Sequence, residues 1–202
     1  MLSRSEIIKQ IELARTDPGS GISVTPSPLF GAHGQIGDAS LDVRLGRWFL
    51  TVLQTKTSEI DLSQVQEAVT FEAKESRSYY IPFGEKFILH PGRFVLASTL
   101  EWVRFPANIG GYILGKSTFG RRGLVVETAA GIHPGFSGCL TLELYNCGEV
   151  PIGIVPGMRV AQIFFHYIDG DGAPKGSAFG GRRKPTIGDY TPETFMVRAR
   201  LL

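Results

Sequence analysis

Residues 115–146, GKSTFGRRGLVVETAAGIHPGFSGCLTLELYN, decide how the chain is read. In their last third the leucines 140, 142 and 144 alternate with Thr141, Glu143 and Tyr145. That period of two predicts a strand with one apolar face and a second face carrying a lone carboxylate. Their first third, residues 115–123, is a polar loop flanked by glycines. It offers backbone N–H groups, the Ser117 and Thr118 hydroxyls, and the cations Lys116, Arg121 and Arg122. Such a donor set suits anionic oxygens. It is not a P-loop, because the Gly-x4-Gly-Lys-Ser/Thr order is absent. Between the two lies a turn of small residues, 129–135, that contains His133.

Working outward, short alternating runs separated by Gly and Pro fill most of the chain. Residues 39–46, 87–92, 93–105, 110–114, 150–155 and 160–167 read as strands or strand-turn units. In the first of these, Asp42 and Arg44 share a face, which predicts a solvated face with a weak ion pair between them. In the run 93–105, Thr99 and Glu101 are expected at hairpin or loop-facing positions. Residues 3–14 read as a helix: Ser3 and Glu6 form a capping box, Leu2 can staple onto Ile7, and Ile7, Ile8 and Ile11 make a stripe. Residues 16–39 are expected as loop with short strand pieces, and residues 55–78 as a polar excursion. Many strands with one helix predict a mainly β protein, closed as a barrel or sandwich to protect its edges.

Composition narrows the function classes. At 202 residues the chain is expected to form one domain, and a net charge of +2 without any long Lys/Arg tract gives no footprint for nucleic acid. No apolar run reaches the length of a membrane span. The polar, mixed-charge start and the two cysteines, Cys139 and Cys147, predict reduced thiols in a cytoplasmic protein. No His or Cys pair has metal-ligand spacing, and the His-x-Glu…Pro-Cys-x-x-Cys deaminase signature is missing, so zinc is not expected. Residues 170–188 hold Lys175, Arg182, Arg183 and Lys184 among glycines. They read equally as a disordered basic tail or as a lid that orders on phosphate.

Glu143 also has two readings. Facing water, it is a surface carboxylate. Facing a pocket, burial would raise its proton affinity and a nearby Arg would lower it, as suits a group that takes and returns a proton. Ser117 and Arg121 are its expected partners.

Several segments together resemble the dCTP deaminase branch of the dUTPase-like trimers. They are residues 39–46 (ASLDVRLG), 115–121 (GKSTFGR), 134–138 (PGFSG), 142–146 (LELYN) and 156–162 (PGMRVAQ), in the family's order. The resemblance implies a distorted, jelly-roll-like β-barrel with a short N-terminal helix over residues 1–168, and a flexible Gly/basic tail over 169–202 closing on the nucleotide. It implies a homotrimer with sites at subunit interfaces, and zinc-independent deamination of dCTP to dUTP and ammonia. Glu143 would be the proton shuttle, with Ser117 and Arg121 positioning water and pyrimidine. Lys116, Thr118, Ala130, Ile132, His133, Gln162, Phe179 and Arg182 would bind the nucleotide. Mg²⁺ would be held through the triphosphate, with dCTP, dUTP and dTTP as ligands. His133 departs from the family's Asp and supplies no fixed negative charge. Deamination without further hydrolysis is therefore expected. The alternatives are a bifunctional deaminase/diphosphatase giving dUMP and a non-catalytic nucleotide-binding regulator.

Overall fold

A computed structural model describes residues 1–17, 19–31, 33–52, 76–127, 131–170 and 180–187. Helix α1 (Arg4–Thr16) starts where the Ser3 hydroxyl accepts the Glu6 N–H, and it runs two residues beyond the expected end. Its last turn closes when the Asp17 N–H donates to the Leu13 carbonyl at 2.9 Å. Leu2, Ile7 and Ile11 are buried, and the Leu2 N–H reaches the Phe165 carbonyl at 2.8 Å. The Tyr167 hydroxyl donates to Glu6 Oε1 at 2.6 Å and fastens the other face. The helix is thus held by its apolar stripe and by two ties to the last strand.

The strands are β1 (Ser23–Thr25), β2 (Ser40–Val52), β3 (Ser76–Tyr80), β4 (Phe87–Leu89), β5 (Phe94–Arg104), β6 (Ile109–Gly115), β7 (Leu124–Glu127), β8 (Gly131–Ile132), β9 (Ser137–Asn146), β10 (Ile152–Ile154) and β11 (Arg159–Tyr167). A short helix, α2 (Ser117–Gly120), sits between β6 and β7. The large antiparallel sheet runs β7-β9-β5-β2-β11-β6-β8, with β1 added to β5 and β3 to β2; β4 and β10 pair separately. The sheet curls until β6, near one end, meets β7 at the other. A Cβ on Gly115 would lie 2.8 Å from the Val126 Cβ, so only glycine allows this approach. Curling is helped by bulges in the two longest strands, between Leu45 and Phe49 and between Ser98 and Trp102. At the second bulge the Thr99 hydroxyl accepts the Leu140 N–H at 2.9 Å and patches the ladder.

Inside the curl, Phe105 packs on Phe165 with centroids 5.3 Å apart and Phe49 stacks on Phe87 at 4.9 Å. Leu140, Leu142 and Leu144 point inward as their alternation predicts. The structure corrects three local expectations. Thr99 and Glu101 face the interior rather than a loop, and Glu101 is 0% exposed. Asp42 and Arg44 pair with other strands and loops, not with each other: Arg44 Nε meets Glu101 at 2.6 Å, and Asp42 meets Lys116 at 2.6 Å. Most of residues 116–123, expected as loop, form α2 and the turn after it. Most of the expected excursion at 55–78 lies outside the described residues, which resume at β3. No helix among the described residues is long and apolar enough to cross a membrane.

Candidate active site

The loop and helix after β6 owe their position to the ladder. The Lys116 N–H donates to the Val160 carbonyl at 3.0 Å, which continues the β6–β11 pairing by one residue. The chain then turns. The Phe119 and Gly120 N–H groups both reach back to the Lys116 carbonyl, and the Arg121, Arg122 and Gly123 N–H groups bond within the turn. This corrects the expectation of a cradle of free backbone donors: among residues 116–123, only the Ser117 and Thr118 N–H groups stay outside these bonds. Ser117, Thr118 and Arg121 side chains are exposed. Arg122 donates to the Thr118 carbonyl at 2.7 Å and braces the turn.

Lys116 bends the other way, onto Asp42 of β2. Between them in the sheet lies Gln162, whose Cα partners are Asp42 on one side and Leu114 on the other. Ser40 contacts Gln162 Oε1 at 3.4 Å. Ser40, Asp42, Gln162 and Lys116 therefore form one part-buried polar group across β2, β11 and the end of β6. Sequence reading found Lys116 and Gln162 and missed that Asp42 joins them. The signal was present in the odd-even phase of β2, which puts Ser40 and Asp42 on one face.

Glu143 stands on the outer face of β9, half-buried, in line with Cys139, Thr141 and Tyr145. Its cross-strand neighbours are Leu96 on β5 and Glu127 on β7. Burial pushes its carboxyl above the ordinary carboxylate range, and the Glu127 carboxylate pushes it the same way. Among the described residues of one chain, the charge beside Glu143 is the like charge of Glu127. Among the described residues, no hydrogen bond or ion pair within one chain joins Glu143 to Ser117, Thr118 or Arg121. Ile132 is buried on β8, and His133 is exposed on the turn that follows, where its carbonyl accepts the Phe136 N–H at 3.2 Å. Ala130 and Phe179 lie outside the described residues.

The tail segment 180–187 folds onto its own chain. The Gly181 N–H donates to the Ser137 carbonyl at 2.7 Å, and the Cys139 N–H donates to the Arg182 carbonyl at 2.9 Å. These two bonds extend the sheet beside the first residues of β9, where β7 does not reach. The Arg183 guanidinium lies 5.1 Å from the Trp102 ring centre, and Lys184 Nζ lies 3.9 Å from that of Trp48. Arg182 bonds Thr186 through its guanidinium. Cys139 and Cys147 are free thiols, and burial pushes the Cys139 thiol up, with Arg183 opposing.

The family described as dCTP deaminase-like matches residues 1–168. A dCTP deaminase, dUMP-forming, from Corynebacterium diphtheriae is 43% identical over 158 residues, 75% of this chain and 81% of that protein. A dCTP deaminase from Haemophilus influenzae is 41% identical over 153 residues, 74% of this chain and 77% of that protein. The fold is similar to the crystal structure of the 2'-deoxycytidine 5'-triphosphate deaminase from Agrobacterium tumefaciens, with a TM-score of 0.57 and 21% identity. That match covers 81% of this chain and 46% of the Agrobacterium chain. A family match across residues 1–168 and relatives above 40% identity make the chain a member of the dCTP deaminase-like family.

Proposed function

We propose that this chain hydrolyses the 4-amino group of dCTP, giving dUTP and ammonia. The observation that carries the reading is Glu143, a half-buried carboxylate whose proton is held above the ordinary range, on a strand of a chain belonging to this family. A group that both takes and returns a proton works best with its proton affinity nearer neutrality than a free carboxylate's.

In the reaction, Glu143 takes a proton from water as the water oxygen bonds to C4. It passes that proton to the ring nitrogen, then takes the second proton from the new C4 hydroxyl and gives it to the departing amine. The C4–N bond breaks, ammonia leaves, and the C4 oxygen becomes a carbonyl. Ser117 and Arg121 orient the water and the pyrimidine. Lys116, Thr118 and Arg182 hold phosphate, while Ala130, Ile132, His133, Gln162 and Phe179 line the nucleoside. Mg²⁺ accompanies the triphosphate; it prefers phosphate and water oxygens with one or two carboxylates. Asp42, bonded to Lys116, is the carboxylate whose chemistry fits that shell. When bound, the metal would offset phosphate charge, and the proton steps belong to Glu143.

The active unit in this proposal is a cytoplasmic homotrimer. Its support is the separation of Glu143 from Ser117 and Arg121 within one chain, which a second copy would mend by bringing its own loop to β9. Tyr112 and Leu114, both about half exposed on the outer face of β6, supply apolar surface for such a contact.

A second reading, hydrolysis onward to dUMP, is favoured by the name of the Corynebacterium relative. His133 opposes it, since the turn after β8 then lacks a fixed negative charge to activate water. Incubation with dCTP and Mg²⁺, and separately with dUTP, separates the readings when nucleotides are resolved by chromatography and ammonia is assayed. Ammonia with accumulating dUTP is expected. Ammonia with dUMP and pyrophosphate would replace the first reading by the second, and saturable binding without turnover would leave a regulator.

A further inference from the structure

The outer face around Glu143 has an unusual neighbour. β7 and β9 pair antiparallel with Glu127 directly opposite Glu143. Directly opposite side chains on adjacent strands stand about 4.5–5.5 Å apart at Cβ, and like charges there repel. Proteins usually avoid the arrangement or place a cation beside it. Among the described residues, the groups around Glu143 come from three strands. On β5 its register neighbour is Leu96, flanked on the same face by Phe94 and Ser98, none of which titrates in water. On β7 the charge is Glu127, with Val125 before it. On β9 itself Thr141 and Tyr145 flank it. Glu127 is exposed, whereas Glu143 is half-buried. Desolvation and the facing carboxylate therefore act together on Glu143.

We propose that Glu127 is a positioning residue for the deamination, placing a second carboxylate across from Glu143 so that the ionised Glu143 takes a proton from the attacking water more readily. The proposal rests on the proton-shuttle role of Glu143. It assigns that role a cause built into this chain's own β7–β9 register, beyond burial. A purely structural Glu127, at the exposed end of a strand, would have no reason to alter proton transfer. Because its charge acts partly through solvent, added salt should weaken it.

The test is the pH dependence of kcat/KM for dCTP, measured on the full chain at low and high salt. Glu143 must be ionised to accept a proton from water, so its titration sets the acidic limb. Glu127→Gln should move that limb to lower pH by about half a unit, what one charge at cross-strand spacing exerts through a water-like medium. Glu127→Asp, which keeps the charge, should leave the limb near its original place. High salt should lower the limb of the parent and leave that of Glu127→Gln almost unmoved. Melting temperatures near that of the parent exclude misfolding as the source. If Glu127→Gln keeps the parent's limb while Glu143→Gln is inactive, the positioning role is wrong and the catalytic reading stands. If Glu143→Gln retains activity, the catalytic reading itself has failed.

Discussion

β5 and β9 lie side by side, and each carries one carboxylate of consequence. Glu101 is wholly enclosed. It accepts the Arg44 backbone N–H at 2.8 Å, the Arg44 Nε at 2.6 Å and the Gln35 side-chain amide at 3.0 Å. Glu143 is half-buried, has no such donor among the described residues, and faces another carboxylate. Burial alone therefore does not mark the reactive group. A buried carboxylate matched by an arginine and further donors is part of the scaffold, because all its partners hold it in one place. A desolvated carboxylate facing a like charge has its proton affinity raised, which suits a group that takes a proton.

The largest expected effect falls on activity. Glu143→Gln keeps shape and removes the transferable proton, so kcat for dCTP should fall by about 10²–10⁴. Its stability should move the opposite way. Burial and Glu127 raise the folded-state proton affinity of Glu143 above its unfolded value. For such a carboxylate the stabilising contribution is present below the unfolded pKa and is lost as pH rises through the folded one. At neutral pH the parent therefore bears a strain that the neutral Gln lacks. Thermal melts should find the variant at least as stable as the parent above pH 7, with the gap closing toward pH 4. A variant that melts well below the parent at neutral pH would make Glu143 another scaffold group.

Glu101→Ala reverses the pattern. It leaves the Arg44 guanidinium without its carboxylate and takes one of two acceptors from the Gln35 amide, and breaking a buried pair this way typically costs about 3–5 kcal/mol. Urea unfolding should show the loss, while kcat of whatever remains folded should change little. A near-normal midpoint with abolished turnover would exchange the roles of the two residues.

Half of this contrast could be read in the sequence and half could not. The phase of residues 140–145 places Glu143 on the outer face, because a period of two survives any tertiary context. Glu101 was misplaced because β5 carries a bulge between Ser98 and Trp102, which interrupts the alternation used to assign faces. The partners were hidden for a related reason. Asp42 and Arg44 do share a strand face by count, but Lys116 and Glu101 reach them from elements 74 and 57 residues away. Glu127 was within reach of reasoning. A strand ending in Glu, followed by a turn and a second strand with a central Glu, pairs the two in one antiparallel register. The polar run 116–123 looked like a loop since four residues are too few to show a helical period.

The smallest effect concerns the tail, which docks on the same outer face at the other end of β9. Arg183 and Lys184 each sit over an indole ring, and exposed contacts of this kind are worth about 0.5–1 kcal/mol. The double change Arg183→Ala, Lys184→Ala should lower stability by no more than about 2 kcal/mol. It should also change the emission of Trp48 and Trp102, the chain's two tryptophans. The KM for dCTP discriminates between two uses of these cations. If the rings are their resting place, KM stays within a factor of two to three while the fluorescence shifts. If the cations leave the rings to meet phosphate, KM rises steeply and its salt dependence weakens, since charge-assisted contacts to phosphate are the ones salt screens. The docked geometry, with Pro185 buried between the two anchors and the Thr186 contact, favours the first outcome. An unchanged fluorescence spectrum together with a raised KM would show that the outer face of β9 serves the tail only in passing.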